Sequence, residues 1–148
     1  MKPIKEVSIY TDGACSGNPG KGGWAAILIY QDTEKKISGY DPDTTNNRME
    51  LLSVIRGVAM LKERCDVTIF SDSAYVVNAF IEKWIDKWQK NGWKTQDKKP
   101  VKNMELWQEL LDKLKLHRYK FVKVEGHSSN QYNNECDRMA KASIKENS

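Results

Sequence analysis

Val7-Ser8-Ile9-Tyr10-Thr11-Asp12-Gly13-Ala14-Cys15-Ser16-Gly17-Asn18-Pro19-Gly20 is the stretch on which the reading of this 148-residue chain turns. It opens with apolar residues at alternate positions among β-branched and aromatic side chains, the pattern of a strand. It closes in small residues and turn formers, which predicts that the backbone leaves the sheet there. Asp12 stands at that exit. Its plain reading is an Asx-turn. Its functional reading is a carboxylate at a sheet mouth, where Gly13 and Ala14 leave room for a large anionic ligand and a metal ion.

Outward from this stretch, residues 4–12 read as a first strand, Gly20 to Gly23 as a turn, Trp24 to Tyr30 as a second strand and Glu34 to Tyr40 as a third. Asp41-Pro42-Asp43 closes this antiparallel meander. Thr44-Thr45-Asn46-Asn47-Arg48-Met49-Glu50 opens a helix to about Lys62, and Asn47 with Glu50 has the spacing of a capping box. Val67 to Phe70 is a short strand that ends at Ser71-Asp72-Ser73. A helix from about Ala74 follows, capped by Ser73 or Asp72. Ile81, Ile85 and Trp88 continue at helical spacing until Asn91-Gly92. Asn103 to Lys115 is an amphipathic helix, Tyr119 to Val124 a strand, and Tyr132 to Ile144 a last helix. Strands followed by alternating helices and strands predict an α/β domain with a mixed sheet, in which ligands bind beyond the carboxyl ends of parallel strands. Asp12 and Asp72 both sit at such ends.

The chain is expected to be one domain, 1–148. With no apolar h-region after Met1 and no run of bilayer length, neither a signal peptide nor a membrane span is expected. Three cysteines without metal-type spacing argue for a reducing, cytoplasmic compartment. Net charge is +4, and its distribution is uneven. Between Lys83 and Lys102, seven lysines face two aspartates, so this segment carries +5 and the rest of the chain −1. A basic excess confined to one segment is the footprint of a polyanion-binding surface.

Four acidic residues fall on element ends that could converge: Asp12, Glu50, Asp72 and Asp137. Each has a plain reading, as a helix cap or a solvated charge. Gathered at one mouth, they would repel one another unless cations neutralised them. Oxygen-only ligands suit Mg²⁺ or Mn²⁺ rather than zinc, and two such ions about 4 Å apart can activate water and stabilise a leaving oxygen. His127, in the loop Gly126 to Asn130, could move a proton beside them.

Tyr10-Thr11-Asp12-Gly13, Thr44 to Glu50, Ser71-Asp72-Ser73, Gly92-Trp93-Lys94-Thr95, Gly126-His127 and Cys136-Asp137 occur in that order. Together they resemble the motif set of type I bacterial ribonuclease H, over essentially the whole chain. The resemblance implies a five-stranded mixed sheet with helices on both faces. It implies endonucleolytic cleavage of the RNA strand of RNA–DNA hybrids by a two-metal mechanism, with 5′-phosphate and 3′-hydroxyl ends, by a monomer. It also implies residue roles. Asp12 would bridge two Mg²⁺ ions, with Mn²⁺ as substitute, and Glu50, Asp72 and Asp137 would complete the site, with His127 assisting. Cys15, Gly17, Asn18, Asn46, Asn47 and Ala74 would contact the RNA strand, partly through 2′-hydroxyls, which distinguish RNA from DNA. Thr45 and Asn103 would hold a DNA phosphate. Trp84, Trp88 and Lys90 would belong to a basic protrusion, about 82–102, that grips the DNA strand. Two positions depart from the family. Gln89 and Asn91 stand where relatives often carry basic residues, and Asn134 stands where Glu is usual. No separate hybrid-binding module is expected ahead of a catalytic pattern that begins within ten residues of Met1. The rival readings are a transposase- or resolvase-type nuclease core and a non-catalytic nucleic-acid-binding module. A magnesium-dependent assay on a hybrid, with duplex RNA and DNA as controls, separates all three.

Overall fold

The computed structural model describes residues 4–125 and 130–147. The elements in chain order are β1 (Lys5–Gly17), β2 (Gly20–Tyr30), β3 (Thr33–Thr44), α1 (Asn46–Ala59), β4 (Cys65–Ser71), α2 (Ala74–Ile81), α3 (Trp84–Asn91), α4 (Met104–Leu114), β5 (Arg118–Lys123) and α5 (Gln131–Asn147). The five strands form one sheet in the order β3-β2-β1-β4-β5. The hairpin-linked strands β1, β2 and β3 pair antiparallel, and β1/β4 and β4/β5 pair parallel. The predicted mixed sheet is therefore present, with helices on both faces.

Strand alternation sorts the two faces. Val7 and Ile9 of β1, with Val67 and Ile69 of β4, pack against Leu51, Val54 and Val58 of α1 and Trp107 and Leu110 of α4. Ala25 and Ile27 of β2 face the other way, onto Cys136 and Ala140 of α5. Each fully buried Val, Leu or Ile stabilises the fold by about 1.5–3 kcal/mol, which fixes strand register and so fixes where β1 delivers Asp12. The second histidine, His117, belongs to this framework. Its Nδ1 accepts the Cys65 backbone N–H at 3.1 Å, and burial lowers its pKa. The three cysteines are unpaired.

Three expectations need correction. The chain does not leave the sheet at Asp12: β1 and β2 stay paired from Ser8↔Ile29 to Gly17↔Gly20, so the expected turn at Gly20 to Gly23 is strand. Gly22 and Gly23 permit this, because a Cβ on Gly23 would lie 2.1 Å from the Ala140 carbonyl oxygen of α5, and one on Gly22 would lie 2.3 Å from Thr44 Cγ2. The capping box is not formed either. Thr45 caps α1, its Oγ1 accepting the Arg48 N–H at 3.3 Å, and the Glu50 carboxylate is left for other work. Finally, the run through Ile81, Ile85 and Trp88 is two helices. Lys83 takes a left-handed conformation (φ 61°) between α2 and α3, so Ile81 is left 59% exposed while Ile85 is buried.

Candidate active site

Parallel pairing of β1 with β4 stops at Tyr10↔Phe70, and the two strands splay beyond it. Thr11 Oγ1 bridges the gap to the Phe70 carbonyl at 3.3 Å. Asp12 is the next residue of β1. On β4, Ser71 ends the strand and Ser73 caps α2 through Val76 N–H at 3.2 Å, which leaves Asp72 at the mouth between them. Glu50 comes from the first turns of α1. Side-chain oxygens of Asp12, Glu50 and Asp72 all lie within 4.8 Å of one another. Asp12 and Glu50 are buried, and Asp72 is half-buried.

Gly13 has a second use beside the one the sequence suggested. A Cβ there would lie 2.4 Å from the Glu50 backbone nitrogen and 2.5 Å from the Met49 carbonyl carbon. The side on which that Cβ would project is thus filled by α1, and this approach carries Glu50 to Asp12, while Gly13 and Ala14 also line the open cleft.

Asp137, on α5, lines the same cleft but stands outside the tight group. Its Oδ2 pairs with Lys141 Nζ at 3.1 Å, one helical turn on, so of the four predicted carboxylates three are brought together and the fourth guards the rim. The cleft measures about 360 Å³ and is also lined by Gly13, Cys15, Asn46, Asn133 and Asn134. A larger groove of about 870 Å³ runs between α3, α4 and β5, but it holds no such carboxylate cluster.

The electrostatics of the trio are those of a site awaiting positive charge. Burial, then the charges of Asp72 and Asp137, push the Asp12 carboxyl up to about 7. Burial and Asp12 push Glu50 well above the usual carboxylate range. Asp12 Oδ1 accepts the N–H of the very next residue, Gly13, at 2.9 Å, rather than the N–H two residues on that an Asx-turn would use. Glu50 Oε1 is buried with no hydrogen-bond partner, as is Asn133 Oδ1. A cluster made only of carboxylate oxygens, one of them buried and unsatisfied, fits a hard divalent cation.

A pH prediction follows from these shifts. A carboxyl with a raised folded-state pKa contributes most stability when protonated, and loses that contribution as pH rises through the folded value. In EDTA, the melting temperature should therefore fall as pH rises from the ordinary carboxylate range, about 4, to about 7, where Asp12 ionises in the folded protein. Millimolar Mg²⁺ should abolish most of that fall. His117, with its lowered pKa, works in the opposite direction below about pH 6.5, but it does so in EDTA and in Mg²⁺ alike, so the difference between the two profiles isolates the cluster. Identical profiles in EDTA and in Mg²⁺ would show that the carboxylates are not coupled to folding.

The remaining predicted residues fall into two groups. Asn18 Oδ1 accepts the Asn46 N–H at 3.1 Å, which pins the tip of the β1–β2 hairpin to the start of α1. Cys15 Sγ reaches the Thr44 carbonyl at 3.5 Å. Gly17 (φ 92°) turns that hairpin, and Asn46, Asn47 and Ala74 are exposed at helix starts, Asn46 lining the cleft. Thr45 and Asn103 are joined through Arg48, whose N–H bonds Thr45 Oγ1 and whose Nη1 bonds Asn103 Oδ1 at 3.1 Å. Asn103 Nδ2 in turn donates to Tyr75 Oη at 3.1 Å, which also accepts Trp107 Nε1–H. Arg48 and Tyr75 were missed from the sequence. Lys141 was legible there as an i+4 partner of Asp137.

The second group is the face of α3 and the loop after it. Trp84, Trp88 and Trp93 form a chain of tilted rings, and Trp88 lies 5.5 Å from buried Trp107. These tryptophans are half-buried anchors for the segment. Among the described residues, Lys90 and the other six lysines are exposed and form no ion pair, so their charge is uncompensated. His127 lies outside the described residues.

Comparison with known proteins agrees with this geometry. The RNase H family model matches residues 4–145. A ribonuclease H of Acetivibrio thermocellus is 61% identical over 145 residues, covering 98% of this chain and 99% of that protein. Among solved structures, LC9-RNase H1, a type 1 RNase H with the type 2 active-site motif, superposes with a TM-score of 0.87 at 28% identity, covering 100% of this chain and 76% of its own. LC11-RNase H1 in complex with an RNA/DNA hybrid shares the fold, with a TM-score of 0.70 at 20% identity over 95% of this chain and 98% of its own. With its carboxylates gathered at the mouth of the expected sheet, the chain belongs to the ribonuclease H family, a family of hydrolytic endoribonucleases.

Proposed function

We propose that this chain, acting as one monomeric catalytic domain in the cytoplasm, cleaves the RNA strand of RNA–DNA hybrids with two Mg²⁺ ions, which Mn²⁺ can replace. Water adds to the scissile phosphorus and the bond to the 3′-oxygen breaks, leaving 5′-phosphate and 3′-hydroxyl ends. The observation that carries this reading is the trio Asp12, Glu50 and Asp72, whose side-chain oxygens lie within 4.8 Å of one another, with a buried Glu50 oxygen left unsatisfied. When bound, the ions supply Lewis acidity at the phosphate and an activated water. Asp12, with a side-chain oxygen within 4.8 Å of those of both Glu50 and Asp72, would bridge the pair of ions, with Glu50, Asp72 and Asp137 as the outer ligands. Asp137 would first release Lys141. His127 is assigned proton transfer or product release from its motif alone. Cys15 and Asn46 line the cleft, and with Gly17, Asn18, Asn47 and Ala74 they would contact the RNA strand, partly through its 2′-hydroxyls. Thr45 and Asn103, tied by Arg48, present polar groups to a phosphate of the DNA strand. The deciding assay is magnesium-dependent cleavage of a hybrid, with duplex RNA and duplex DNA as controls. Cleavage of either control at the hybrid's rate would overturn the substrate assignment.

The basic segment supplies a second test. Lysines that touch phosphate release counterions, with a salt slope near −0.9 per contact on duplex DNA. Neutralising Lys90, Lys94, Lys98 and Lys99 together, all exposed, should flatten the salt dependence of hybrid binding and raise KM while kcat is nearly kept. Gln89→Lys should do the reverse. Asn91→Arg is a poorer gain-of-charge variant, because the Asn91 side chain holds Lys94 through bonds of 2.9 and 3.0 Å. An unchanged slope in the lysine-neutral variant would remove this segment as the substrate handle.

A further inference from the structure

We propose that Asn133 donates its amide oxygen to the cation site, as an uncharged oxygen beside the carboxylates. The inference rests on the metal-dependent reading above and adds a donor to it. Asn133 is 3% exposed, lies near the start of α5 and lines the same cleft as Asp12, Glu50, Asp72 and Asp137. Its Oδ1 is buried and has no hydrogen-bond partner.

The first alternative is a structural cap. Asn130 Oδ1 accepts the N–H groups of Tyr132 and Asn133, both at 3.0 Å, so Asn130 caps α5 and Asn133 stands at the third helical position. In a reciprocal capping box the side chain at that position reaches back to the cap backbone. Asn133 Oδ1 makes no such bond, so the cap does not account for it. The second alternative is that the orphan acceptor is an ordinary defect. A buried acceptor left unpaired costs about 1–3 kcal/mol, and an apolar residue of the same size would avoid that cost. Asn133 is not isolated, however. Of three such orphan atoms among the described residues, two, Glu50 Oε1 and Asn133 Oδ1, belong to residues lining this one cleft. A shared divalent cation satisfies both at once. Hard cations accept carboxamide oxygens together with carboxylates, and a neutral oxygen there adds a donor without adding repulsion to a trio already strained by like charge.

The test uses the whole chain with Mg²⁺ as the probe, by calorimetric titration and by melting in EDTA and in Mg²⁺. Asn133→Leu should weaken Mg²⁺ binding by about tenfold or more, the scale on which supporting donors act. Its melting temperature in EDTA should match or exceed that of the parent, because the orphan is gone. Asn133→Asp should bind Mg²⁺ more tightly and melt lower in EDTA. Parent-like Mg²⁺ affinity in a folded Asn133→Leu overturns the inference and leaves the function intact. A lower melting temperature of that variant in EDTA also overturns it, since the amide would then be donating to a carboxylate. If the parent binds no Mg²⁺, the metal-dependent reading falls, and this inference with it.

Discussion

Asp12→Asn should lower hybrid cleavage by at least about 10⁴-fold, the scale of losing a group on which the whole site depends, while the protein stays folded. Asp12 is 4% exposed and shares a cluster no wider than 4.8 Å with both Glu50 and Asp72. The amide is nearly the same size, so packing is kept. What is lost is one negative charge at the point where two cations would be bridged. The same change relieves repulsion in the cation-free cluster, because Asp72 and Asp137 both raise the Asp12 carboxyl. The variant should therefore melt higher than the parent in EDTA at pH 8, gain little from Mg²⁺, and still bind hybrid through its lysines. This pairing of a stability gain with an activity loss is hard to obtain from misfolding. Near-normal cleavage by the folded variant would sink the assignment of this cluster as the catalytic centre.

Those carboxylates were legible in the sequence because each stands at a junction with its own local signal. Asp12 follows an alternating strand, Asp72 sits between a strand end and a serine cap, and Glu50 follows a threonine-asparagine helix start. The antiparallel meander of β1, β2 and β3 and the buried faces of the helices were legible in the same way, since periodicity reports burial. The misreadings arose where a long-range contact or a single backbone conformation overrides a local rule. Small residues after Asp12 read as a turn, but Gly13 of β1 and Gly23 of β2 keep the strands paired while α1 and α5 approach them closely. Glu50 has capping-box spacing, yet a capped helix start is equally served by Thr45, and the competition is decided by where Asp12 lies. The i, i+4, i+7 run through Ile81 ignores a single left-handed residue, Lys83, which no periodicity can reveal. Arg48 and Tyr75 acquire meaning only when α1, α2 and α4 are placed side by side.

Gly13→Ala is the sharper test of how the site is assembled. The added methyl would sit 2.4 Å from Glu50 N, 2.5 Å from Met49 C and 2.8 Å from Met49 Cβ. The two closest of these atoms are helix backbone, which cannot swing aside as a long side chain would. Ordinary contact needs roughly 1 Å more, so the first turn of α1 must move off β1. Met49 and Leu51 are fully buried on either side of Glu50, so that motion also disturbs the core. Overpacking of this kind costs about 1–3 kcal/mol or more. A displacement of about 1 Å at a catalytic group can cost on the order of 10²-fold in rate, and here it separates Glu50 from Asp12. Gly92→Ala is the control. It adds a methyl with nothing within 4 Å, at a φ of 77°. Left-handed strain there costs about 1–2 kcal/mol, far from the carboxylates. Denaturant unfolding and single-turnover cleavage in saturating Mg²⁺ should thus separate the two: both variants lose stability, but only Gly13→Ala loses the chemical step. If Gly13→Ala unfolds and cleaves like Gly92→Ala, close approach of α1 to β1 is not what brings Glu50 to the site.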